Sequence, residues 1–141
     1  MKVLGLDYGD KTCGVAISDR EGKLARGLTT LRFERGKVDG VVEAIKELAT
    51  HENVKHIALG YPKNMDGSIG AQGQKVQKFK AKLEAKGFTV FLVDERLSTQ
   101  LASMHAISSN LNRAKRKRTI DEGAAIVILQ SYLDATQKEE T

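Results

Sequence analysis

The alternation of apolar and polar positions changes rhythm once along this chain, near residue 33. Before that point, Lys2 to Tyr8, Thr12 to Ser18 and Leu24 to Phe33 are short runs in which apolar residues alternate with small or polar ones, the period-two signature of strands. Gly9-Asp10-Lys11 and Asp19-Arg20-Glu21-Gly22 separate them, and the positive φ open to Gly9 suits a tight hairpin, so an antiparallel meander is expected. Beyond it, Val38, Val41, Val42, Ile45, Leu48 and Ala49 recur at helical spacing, and His56 to Leu59 is a short apolar strand ended by Gly60 and Pro62. The unit repeats. Val76, Phe79 and Leu83 mark one face of a helix stopped by Gly87, Phe88 to Val93 is a nearly continuous apolar strand, and Leu97 to Ile107 is expected to be helical. A last helix is expected from about Ile120 to Leu133. This order predicts an α/β fold with one mixed five-stranded sheet, three antiparallel strands followed by parallel ones, flanked by helices. No repeat or linker divides the 141 residues, so 1–141 reads as one domain with a core of its own.

Three acidic residues stand out against this pattern by position. Asp7 closes an apolar strand on the face shared by Val3 and Gly5, in a setting where Asp is disfavoured. Asp94 and Glu95 follow the run Phe88 to Val93, at the carboxyl end of a parallel strand, where α/β sheets place their ligands. Both also have structural readings, Asp7 as a turn residue and the later acids as partners of Arg96 or starters of the next helix. Thr119-Ile120-Asp121-Glu122 has capping-box spacing, which gives Glu122 a structural task and leaves Asp121 on the stripe of Ala125, Ile128 and Tyr132 that should lie on the sheet. An inward carboxylate needs a cation, a metal, a proton or a helix N-terminus.

Carboxylates from two strand ends and a helix start can converge at one sheet edge. Hard oxygen donors without His or Cys suit Mg²⁺ or Mn²⁺, and such a cage supports in-line phosphodiester displacement without a nucleophilic side chain. Zinc is disfavoured, because His51, His56 and His105 are scattered and Cys13 shares a strand face with Val15 and Ile17. The formal charge of +5 favours a polyanionic partner. It is concentrated in Arg113-Ala114-Lys115-Arg116-Lys117-Arg118, a run expected to be a mobile loop beside the Asp121 helix that holds phosphates by charge. The stretch Asn64-Met65-Asp66-Gly67-Ser68 has turn chemistry and is a candidate lip of the same site. A lone cysteine, the absence of a signal-peptide pattern and the lack of any apolar run near 20 residues point to the cytoplasm and to no membrane partner.

GLDYGDKTCGVAISD, GYPKNMDGS, DERLST and KRKRTIDEGAAIVILQSYLD closely resemble, in order, the four motif blocks of the YqgF/RuvX family, across nearly the whole chain. The resemblance implies a ribonuclease H-like fold similar to RuvC-type junction resolvases, and a nuclease that matures the end of pre-16S ribosomal RNA. It implies Asp7, Glu95 and Asp121 as the catalytic, metal-binding carboxylates. Lys11, Asn64, Arg96, Arg113, Lys115, Arg116, Lys117 and Arg118 are the accompanying candidates for nucleic-acid contact. Neither Arg118 nor Ala124, three residues either side of Asp121, adds the further acid of a four-acid resolvase site, so structured RNA is expected over branched DNA. Thr12, Cys13 and Gly123 depart from the family pattern. Two alternatives stay open: an ATP-binding protein of the actin and sugar-kinase type, whose phosphate loop resembles Asp7 to Thr12 but which closes two domains around its ligand, and a noncatalytic RNA-binding factor in ribosome assembly or transcription. No surface for self-association can be read from the sequence.

Overall fold

The computed structural model of the chain describes residues 1–62, 66–95 and 113–140, with side chains in the last segment described over 123–137. The meander is present as β1 (Val3–Tyr8), β2 (Thr12–Ser18) and β3 (Ala25–Arg32), paired antiparallel. Helix α1 (Val38–Glu52) leads to β4 (His56–Tyr61), parallel to β1, and α2 (Ala71–Ala85) leads to β5 (Thr89–Asp94), parallel to β4. The five-stranded sheet has the order β3-β2-β1-β4-β5, and α3 spans Arg113–Glu140.

Strict alternation in the central strands gives each face its own core. Leu4, Leu6, Val15, Ile17, Ile57 and Leu59 meet α1 through Val42 and Ile45, and α2 through Phe79 and Leu83. Each such side chain contributes roughly 1.5–3 kcal/mol on burial. The opposite face is made of small residues: Val3, Ala16 and Ala58 pack on Ala125, Leu129 and Leu133 of α3. Gly5 shows why they must be small, since a Cβ there would stand 2.5 Å from the Leu129 Cβ and 2.9 Å from the Ala125 carbonyl oxygen. Bulky residues would hold α3 off the sheet.

Three expectations need correction. Gly9 is not among the glycines with positive φ; its N–H donates to the Thr12 carbonyl at 2.8 Å, and a Cβ would come within 3.3 Å of that oxygen. The last helix begins at Arg113 rather than near Ile120, because Arg, Lys and Ala are strong helix formers whatever their charge, so the basic run is helix and not loop. Thr119 and Glu122 accordingly lie inside α3, where backbone N–H groups are already paired, and form no capping box. Gly22 does carry the second turn at φ 72°, and Gly87 follows α2 at φ 100°. The expected helix from Leu97 to Ile107 lies outside the described residues.

Candidate active site

Parallel pairing brings the carboxyl ends of β1, β4 and β5 to one edge, with Leu6 beside Leu59 and Tyr61 beside Asp94. Alternation then decides which side chains face α3. Val3, Gly5 and Asp7 share that face on β1, and Phe91, Val93 and Glu95 share it at β5, where Phe91 stacks on Tyr132 of α3 at 5.1 Å. Asp7 and Glu95 meet there and hydrogen-bond to each other.

The room for that meeting comes from Gly60 on the intervening strand. A Cβ at Gly60 would lie 2.8 Å from Glu95 Oε1 and 2.5 Å from Ile128 Cδ1, so the carboxyl group and the helix side chain occupy the space a larger residue would fill. Burial raises the Glu95 pKa first, the Asp7 charge and hydrogen bond raise it further, and Asp94 adds to them; the group is pushed from 4.5 up to about 8. Like charges this close cannot both ionise cheaply in a partly dry site, and a proton shared between them relieves the repulsion.

A divalent cation would relieve it equally well. The donors are hard carboxylate oxygens without His or Cys beside them among the described residues, a set of the kind that suits Mg²⁺ or Mn²⁺. Among the described residues no three His, Cys, Asp or Glu form a group that could hold a metal ion, and the Asp7–Glu95 pair is the carboxylate contact they contain at this edge. Asp121 belongs to α3, its side chain outside the described set. Its backbone position is informative all the same. Gln137 Nε2 donates to the Gly22 carbonyl at the far end of the sheet, while Ala125 lies over Gly5, so α3 runs against β1 and its 121 turn falls at the end of β1 that carries Asp7.

Of the other candidates, Lys11 is exposed on the β1–β2 turn at this same edge. Arg113, Lys115, Arg116, Lys117 and Arg118 occupy the first turns of α3, with side chains outside the described set. Asn64 and Arg96 lie outside the described residues altogether. The turn that follows Asn64 is as expected: Ser68 donates from its backbone N at 2.9 Å and its hydroxyl at 2.6 Å to Asp66 Oδ1, and Gly67 has φ 90°. One contributor escaped the sequence reading, Gly60, while Asp94, named there beside Glu95, acts here through its charge. The signal for Gly60 was present as the small residues Ala58 and Gly60 on one face of β4, read as a strand ending instead.

A family model described as RuvX, Holliday junction resolvase, matches residues 1–135. A relative from Thermoanaerobacter pseudethanolicus is 47% identical over 141 residues, covering 99% of this chain and 100% of that protein, and carries the name "Putative pre-16S rRNA nuclease". One from Caldanaerobacter subterraneus with the same name is 50% identical over 137 residues, covering 96% of this chain and 97% of its own. Among solved structures, Thermus thermophilus RuvC superposes with a TM-score of 0.60 at 17% identity over 98% of this chain and 97% of that one. That likeness shows the fold, which is ribonuclease H-like. No helix among the described residues is long and apolar enough to cross a membrane.

Proposed function

The chain belongs to the RuvX family of Holliday junction resolvases, and from that membership we propose that it is a metal-dependent nuclease that trims the end of pre-16S ribosomal RNA. The observation that carries this reading is the hydrogen-bonded Asp7–Glu95 carboxyl pair over Gly60 at the strand ends. Asp7, Glu95 and Asp121 would hold Mg²⁺ or Mn²⁺, which when bound supplies Lewis acidity to phosphodiester displacement. Glu95 would hold such a cation in its deprotonated form, and the basic run that opens α3 would gather phosphate by charge. A ribosomal RNA precursor is the substrate in the names of the relatives, and no acid at position 118 or 124 supplements Asp121 in the manner of a four-acid resolvase.

A cleavage assay on a structured RNA bearing the precursor end and on a four-way DNA junction, with Mn²⁺ or chelator, tests each part. Cleavage is expected only with metal, faster on the RNA, and abolished in Asp7→Asn with the melting temperature retained. Full activity in chelator or in Asp7→Asn would end the metal-nuclease reading. RNA binding without any cut would leave a noncatalytic assembly factor, and faster, symmetric resolution of the junction would reverse the order of substrates.

A further inference from the structure

The other face of the same strand end holds a pocket that the nuclease chemistry does not use. Tyr8, one residue after Asp7, points away from α3 and stacks on Phe79 of α2 at 4.0 Å and on Phe33 at 5.7 Å. With Val38 and Phe79 it floors a 240 Å³ pocket between the β1–β2 turn, the β3–α1 connection and α2. Its rim is cationic. Lys75, Lys78 and Lys82 lie at i, i+3 and i+7 on one exposed stripe of α2, and Arg35 faces them from the β3–α1 connection.

Two carboxylates answer these four cations. Asp10 pairs with Lys75 at 2.9 Å and Arg35 at 3.5 Å, and Asp39 pairs with Lys82 at 2.9 Å, while Lys78 has no ion-pair partner among the described residues. The Asp10 pairs fix two of the cations at the mouth, and Gln72 Nε2 ties α2 to the Tyr8 carbonyl oxygen at 3.0 Å. An apolar floor weakens solvent screening over the rim, so an anion resting there feels more of each charge than it would on an open surface. The aromatic rings are already stacked on one another, so the floor is not arranged to read bases. Cations spaced along a helix beside an apolar groove match the repeating charges of a sugar–phosphate chain.

We propose that this pocket is a second anchoring site for the nucleic-acid substrate, holding backbone phosphates away from the scissile one on the opposite face of the sheet. It takes a strand that leaves the Asp7–Glu95 edge and crosses the turn carrying the exposed Lys11. The proposal rests on the nuclease reading for the identity of the strand, and its test does not require cleavage.

Binding of the structured RNA is measured by fluorescence anisotropy in chelator, at several salt concentrations, for wild type, Lys78→Glu and Lys55→Glu. Lys55 is exposed just before β4, at the far end of the sheet, and carries the same change in charge. Lys78→Glu is expected to weaken binding roughly tenfold at about 0.1 M salt and to flatten the slope of log K against log salt by about 1, with Lys55→Glu close to wild type. Melting temperatures of both variants should match wild type, since both positions are exposed. Equal losses in the two variants, or an unchanged slope in Lys78→Glu, would overturn the anchoring site and leave the pocket to another partner. A wild type that binds with this pattern yet cuts nothing in Mn²⁺ would refute the nuclease and leave the pocket standing.

Discussion

Glu95 is held in its native setting by a proton, and that has a thermodynamic sign. Between its ordinary 4.5 and the native value of about 8, the folded metal-free protein keeps a proton that the unfolded chain has released. Stability therefore falls as pH rises through that window and levels off above it. Glu95→Gln keeps the size of the side chain and removes the charge. At pH 8 without metal it should raise the melting temperature by at least about 3 °C, the shift that ~1 kcal/mol produces in a domain of this size, with little change at pH 4.5. Calorimetry at the two pH values checks it; an equal shift at both would mean that burial alone, not ionisation, sets the cost. Metal affinity should climb with pH over the same window, because binding displaces that proton.

In the proposed site, helix α3 is the element that brings position 121 toward Asp7, through its contacts with β1, β4 and β5. Its docking rests on missing side chains more than on large ones. Gly5→Ala would press a methyl group against the Leu129 Cβ and the Ala125 backbone, neither of which can swing aside as a flexible side-chain tip would. Overpacking of this kind costs about 1–3 kcal/mol. We expect a lower melting temperature in Gly5→Ala and a loss of nuclease activity at temperatures well below the transition, through displacement of α3. A variant with wild-type activity and stability would mean that α3 can slide without consequence. The early start of α3 has the same lesson at its other end: Arg113 to Arg118 were read by their charge as a loop, while their helix propensity and continuity with the packed segment from Ala124 onward extend the helix through them.

The whole chain carries a formal charge of +5; its basic run opens α3, the helix packed on one face of the sheet, and a lysine stripe lies on α2 beside Asp10 on the other face. Such an arrangement suits a substrate that passes over the edge and is gripped on both sides. Replacing Lys115, Arg116, Lys117 and Arg118 together with alanine should weaken RNA binding and reduce the salt slope by about 0.7 for each lost contact on single strands. Activity should recover at saturating substrate if the run only gathers phosphate, because uniform binding lowers KM without raising kcat. A turnover that stays as low as in Asp7→Asn would show that the run helps to form the transition state.

The strand and helix order over the described residues and the two sheet faces were legible in the sequence, because side-chain periods of 2 and 3.6 are local properties; the period also gave Asp7 its face, whereas Glu95 was set apart from Asp94 only by the family resemblance. The same period placed Cys13 on the face of Val15 and Ile17, and all three are fully buried. What no local pattern contains is the distance between segments. That Glu95 rests over Gly60, that Asp7 and Glu95 hydrogen-bond to each other, and that Lys75 and Arg35 converge on Asp10 follow from the order β3-β2-β1-β4-β5 and from how closely α3 approaches it. A glycine at residue 60 ends a strand in one dimension; only when β5 lies beside β4 does the side chain it lacks become the space in which two carboxyl groups meet.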